Sequence, residues 1–63
     1  MKARVCYLTF KDQFWYARRV WSVIRNDVDC LNGSIRRVTV ISGAGKVEVF
    51  NLHEGHMVTL FKW

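Results

Sequence analysis

The sequence predicts an α+β domain: a single helix packed on one face of a small, mainly antiparallel sheet, in the order β-α-β-β-β. Three observations carry that expectation. Apolar residues at 14, 17, 21, 24 and 28 recur at steps of 3, 4, 3 and 4, the spacing of one helical face. The flanking segments are rich in β-branched and aromatic residues and are bounded by glycine turns. A chain of 63 residues has room for one core, so residues 1–63 are read as one compact domain.

The elements follow in chain order. "ARVCYLTF", residues 3–10, reads as a first strand. Asp12 then stands where a helix N-cap belongs. Phe14, Ala17, Trp21, Ile24 and Val28 form the seam that faces the sheet, and "NDVDCLNG" ends the helix with Asn32-Gly33 as its turn. "SIRRVTVIS", "KVEVFNL" and "HMVTLFKW" read as a three-stranded meander, turning at "GAG" and at Glu54-Gly55.

Turn length sets register, and register decides which side chains share a face. With two-residue turns at Gly43-Ala44 and Glu54-Gly55, Val38, Val40, Val47, Val49, Val58 and Leu60 line the face that receives the helix. Ile35, Arg37, Thr39, Ile41, Lys46, Glu48, Phe50, Leu52, Met57, Thr59, Phe61 and Trp63 line the other. One helix covers one face. The second face, mixed aromatic and charged, is left for solvent, a second copy or a partner, with the last strand at the sheet edge.

"FWYARRVW", residues 14–21, holds four of the nine aromatics beside two arginines. On a helical wheel Phe14, Ala17 and Trp21 point to the sheet. Trp15 and Arg19 lie four apart on the opposite ridge, with Arg18 on a flank. Tryptophan beside arginine is the composition of an interface anchor; the plainer reading is a tryptophan folded over its own helix with Arg19 stacked on it.

Composition narrows the function classes. Ten Lys and Arg against five Asp and Glu give a net charge of +5, which favours an anionic partner. At 51% hydrophobic residues, the chain carries more apolar surface than so small a core buries. No apolar run reaches the roughly 20 residues of a membrane span, and the N-terminus lacks the pattern of a signal peptide. Cys6 and Cys30 read as reduced thiols, and the expected location is the cytosol, or the host cytosol for a phage protein.

No constellation of catalytic or metal-ligating residues emerges. "HEGH" places His53 and His56 across a turn, without the close pairs that structural zinc requires. "GAGK" lacks the spacing of a phosphate-binding loop. The reading is therefore non-enzymatic, with no cofactor, metal, membrane or small-molecule substrate.

Two kinds of binding remain. The first is a protein interface, with an acidic partner or with a second copy as a dimer, built from Trp15, Arg18, Arg19, Arg37, Lys46, Phe50, Phe61 and Trp63. The second is single-stranded nucleic acid, with Phe50, Phe61 and Trp63 stacking on bases and basic residues on phosphates. The apolar surplus ranks the protein interface first. A small single domain of this profile fits a stand-alone modulator or inhibitor of the phage type.

Overall fold

The computed structural model describes residues 1–61 and shows six antiparallel strands with no α-helix. The strands are β1 (Lys2–Arg4), β2 (Gln13–Tyr16), β3 (Arg19–Val28), β4 (Ile35–Ser42), β5 (Val47–His53) and β6 (Met57–Leu60). A single 3₁₀ turn, Val5–Tyr7, follows β1. All six strands form one sheet in the order β1-β6-β2-β3-β4-β5. The expected α+β fold is therefore replaced by an all-β one.

The error lies in "FWYARRVW". Residues 13–16 and 19–22 form a hairpin in which Phe14 faces Trp21 and Trp15 faces Val20. A seven-residue separation is two turns of a helix. Across a two-residue hairpin loop centred between 17 and 18, it is also the separation of directly opposed residues. Periodicity alone cannot tell the two apart, and the aromatic, β-branched content of residues 13–28 favours the strand. The usual turn signal is absent. Ala17 and Arg18 both adopt left-handed backbone, at φ 50° and 65°, where such a loop normally carries Asn-Gly. Ile24, a member of the supposed seam, is the extra residue of a β-bulge, since Val23 faces Val40 while Arg25 faces Thr39.

Asp12 caps a turn and not a helix. Its carboxylate accepts hydrogen bonds from the Thr9 N–H (2.9 Å) and the Thr9 hydroxyl (3.1 Å). The Asn32-Gly33 loop does connect two elements, here β3 and β4, with Ser34 N–H donating to Asn32 Oδ1 at 3.0 Å.

The sheet curls upon itself. β5 is the last strand in the order and β6 the second, yet only residues 54–56 join them. Flat, these two strands would stand about 19 Å apart, while the link from His53 to Met57 reaches about 13 Å. The curl brings Phe50 of β5 against Tyr16 of β2, ring centroids 4.8 Å apart, and against Trp21 of β3 at 5.1 Å. The core on the concave side is Val5, Leu8, Phe14, Trp21, Val23, Val38, Val40, Leu52 and Val58. Trp21 Nε1 donates to the Tyr16 carbonyl at 2.8 Å, so the buried indole keeps its hydrogen bond. Asn26 ties β3 to the segment after β1, its amide donating to the carbonyls of Val5 (2.9 Å) and Leu8 (2.8 Å).

Two register assumptions also change. The β4–β5 loop is one residue longer than expected: Ile41 faces Val47, Ser42 N–H donates to Lys46 O (2.8 Å), and Gly45 takes φ 87°. This three-residue loop rotates β5 by one position, so Glu48, Phe50 and Leu52 share the inner face with Val38 and Val40. Val47 and Val49 point outward, half-exposed. The Glu54-Gly55 turn exists, but β6 does not return beside β5. It lies between β1 and β2, an interior strand, and the sheet edges are β1 and β5.

Candidate protein-binding face

The convex outer face of β1, β6, β2 and β3, with the loop beside it, gathers Phe10, Trp15 and Phe61, while the exposed Tyr7 lies in the turn after β1. Opposed residues share a face, so one transverse row runs Lys2, Thr59, Trp15, Val20. The next runs Gln13, Ser22, Ile41, Val47, and Phe61 joins it by donating its N–H to Gln13 O at 2.8 Å. Trp15 stands 51% exposed between Thr59 and Val20, too open to be core and too large to be incidental.

Beside Phe61 the loop of residues 8–12 folds up against β3. Lys11 N–H donates to Val23 O at 3.0 Å and Val23 N–H to Asp12 O at 2.8 Å, so this loop extends the sheet. Lys11 takes φ 76°, and the Thr9–Asp12 cap fixes the bend. Phe10 is thereby held out at 66% exposure, with the Lys11 ammonium 5.8 Å from its ring centre. Phe10, Phe61, Ile24 and Ile41 line a groove of 620 Å³ in which Gln13 Nε2 donates to Ser22 Oγ at 3.2 Å. The groove is apolar, polar-centred and open to solvent.

Charge is partitioned across the molecule. Asp27 pairs with Arg25 at 3.1 Å, Asp29 with Arg37 at 3.8 Å and Glu48 with Lys46 at 3.3 Å. All three pairs lie on β3, β4, β5 and their connections. As surface pairs they contribute little stability, but they neutralise three of that flank's cations. Lys2, Arg4, Lys11 and Arg18, around the Trp15 face, have no carboxylate partner among the described residues. Arg19 on β3 and Arg36 on β4 also lack one, and Asp12 lines the groove, so the uncompensated cations cluster on the face of the exposed aromatics without being confined to it.

The residues singled out from the sequence separate accordingly. Trp15, Arg18 and Phe61 come together on the outer face and at the tip of its β2–β3 hairpin. Arg19 faces Tyr16 on the inner side, with its guanidinium 5.7 Å from the Trp21 ring centre, so it covers the end of the core. Arg37 and Lys46 lie on the neutralised flank. Phe50 is turned inside by the longer β4–β5 loop. Trp63 lies outside the described residues. Sequence reasoning missed Arg4 and Phe10 because it read residues 3–10 as one strand, and passed over Lys2 and Lys11 on either side of it. The signal that could have found them is Thr9-x-x-Asp12, a capped turn ahead of the aromatic run.

Cys6 is half-buried, Cys30 is exposed, and neither is in a disulfide. Among the described residues no cluster of His, Cys, Asp and Glu is arranged to hold a metal, and no helix is long and apolar enough to cross a membrane. Comparison with known protein families, with characterised proteins and with solved structures finds no match to this chain.

Proposed function

We propose that this protein is a non-catalytic binding module that docks on an acidic surface of a protein partner through its outer face and so modulates or inhibits that partner. The observation that carries the reading is a coincidence: four of the six described Lys and Arg residues without a carboxylate partner, and three of the four exposed aromatics, occupy the same face. Trp15, Phe10 and Phe61 are the apolar anchors, and the groove between the last two receives an apolar side chain of the partner. Lys2, Arg4, Lys11 and Arg18 form a cationic rim that selects an acidic surface and speeds encounter. The reduced cysteines support action in the cytosol of the producing cell, or of the host for a phage-encoded chain.

The test is affinity capture with the wild-type chain beside Trp15→Ala and a Lys2→Glu/Arg18→Glu double variant. A partner captured through this face resists nuclease, persists at high salt through the apolar anchors, and is lost with both variants. A captured protein retained by both variants refutes the reading.

A second reading is favoured by one observation, the spacing of exposed aromatics among free cations on an open curved sheet. Single-stranded nucleic acid binds such surfaces by stacking and phosphate contact. Oligonucleotide binding through about four phosphates gives a log–log salt slope near −3. Absence of binding to any single-stranded oligonucleotide at low salt removes this alternative.

A further inference from the structure

The two edges of the sheet are not equivalent. β1 is three residues long, carries Lys2 and Arg4, and ends in the 3₁₀ turn at Val5. Short length and flanking charge are the usual protections of an edge. β5 is longer, and the Lys46 that flanks it is paired with Glu48 inside it. It is seven residues long, contains no proline, lysine or bulge, and among the described residues pairs only with β4.

The hydrogen-bond phase of β5 follows from its loop. Ser42 N–H donates to Lys46 O, which makes that pair a hydrogen-bonded site of the ladder. In an antiparallel pair such sites recur at every second residue. Glu48, Phe50 and Leu52 therefore direct their main-chain groups to β4, opposite Val40, Val38 and Arg36. Val47, Val49 and Asn51 direct theirs outward, where they meet no backbone partner among the described residues. Val47 and Val49 add half-exposed side chains on the outer face of the same strand, at 54% and 49%.

We infer that β5 is a pairing edge that adds antiparallel to β5 of a second copy of this chain, about a twofold axis. β5 is self-complementary in the register that pairs its whole length. Phe50 falls opposite Phe50 of the partner copy, Val49 opposite Asn51, and Glu48, the only acidic residue of the strand, opposite Leu52. No like charges meet. Lys2, Arg4, Lys11 and Arg18 stay on the far side of each sheet, around Trp15, while Arg37 and Lys46 beside β5 are paired with Asp29 and Glu48, which leaves Arg36 as the one cation of this flank without a carboxylate partner among the described residues. This surface is separate from the proposed docking face, and the dimer presents two such faces.

The experiment measures solution mass by sedimentation equilibrium from micromolar to millimolar concentration, with amide hydrogen exchange at both ends of the range. The expected result is a doubling of mass with concentration, accompanied by slowed exchange at Val47, Val49 and Asn51. The amides of Glu48, Phe50 and Leu52 are protected throughout. Val49→Pro removes an outward N–H at an edge position that tolerates proline, and Val49→Lys supplies the missing charge. Each yields a folded monomer at all concentrations. If the proline variant fails to fold, the lysine variant decides. Trp15→Ala leaves the dimer unchanged, which separates this inference from the docking face. A chain that stays monomeric at millimolar concentration overturns the inference. So does a dimer whose outward amides exchange freely, or one that survives Val49→Lys.

Discussion

Phe14 and Trp21 stand directly opposite each other across the β2–β3 hairpin, both buried on the concave side of the sheet. This pair organises the core. Phe14 is fully buried, and Trp21 bridges it to Phe50 from the far strand.

Truncating Trp21 to alanine removes the largest buried side chain together with its hydrogen bond to the Tyr16 carbonyl. The expected cost is about 3–5 kcal/mol, close to the whole stability of so small a domain. Urea denaturation or thermal melting checks it, and an unchanged midpoint contradicts the assigned packing.

The Ala17-Arg18 loop places two non-glycine residues at positive φ, a conformation that costs on the order of 1 kcal/mol per residue. Replacing the pair with Asn-Gly relieves that strain, and the melting temperature rises by an amount equivalent to about 1 kcal/mol. Because Arg18 belongs to the proposed cationic rim, the same variant is expected to bind the proposed partner more weakly. Stability and binding move in opposite directions.

Asn26 ties β3 to the segment after β1 through two hydrogen bonds to main-chain carbonyls. Asn26→Leu strands the Leu8 carbonyl and is expected to cost about 2–3 kcal/mol, the range for leaving buried polar groups unpaired. Hydrogen exchange on residues 5–8 should accelerate more than exchange on β4.

Trp15→Ala is the complementary experiment. Trp15 is half-exposed on the outer face, opposite the side that holds the core, so melting shifts by less than about 0.5 kcal/mol. Partner affinity falls by about 2 kcal/mol or more, the hot-spot range for a tryptophan anchor. A variant that melts early but binds normally would reverse the roles assigned to the two faces.

The thiols differ in access. Cys30, exposed in the β3–β4 loop, reacts with an alkylating agent in the native protein, while half-buried Cys6 reacts more slowly. Mass spectrometry of a timed reaction resolves the two, and equal rates would show that the Val5–Tyr7 turn opens readily.

Local sequence by itself determined much of the strand content and of the apolar set. Residues 35–42 and 47–53 alternate or cluster as strands must, and Phe14, Trp21, Val38 and Val40 are apolar at positions where apolar residues become core. Composition alone also carried the excess of positive charge and of aromatic surface. What only the tertiary structure decided is direction. The seven-residue step from Phe14 to Trp21 is degenerate between helix and hairpin, and Ala-Arg gives no turn signal, so the fold of residues 13–28 depends on a sheet to pair with. One extra residue in the Gly43–Gly45 loop turns Phe50 inward and Val49 outward, because strand side chains alternate with a period of two. The place of β6 between β1 and β2 rests on pairings of residues more than forty apart, which no local pattern encodes. The proposed docking face inherits that dependence: Trp15, Phe61, Phe10 and Lys2 are scattered along the chain, and only the strand order, with β6 between β1 and β2, makes them neighbours.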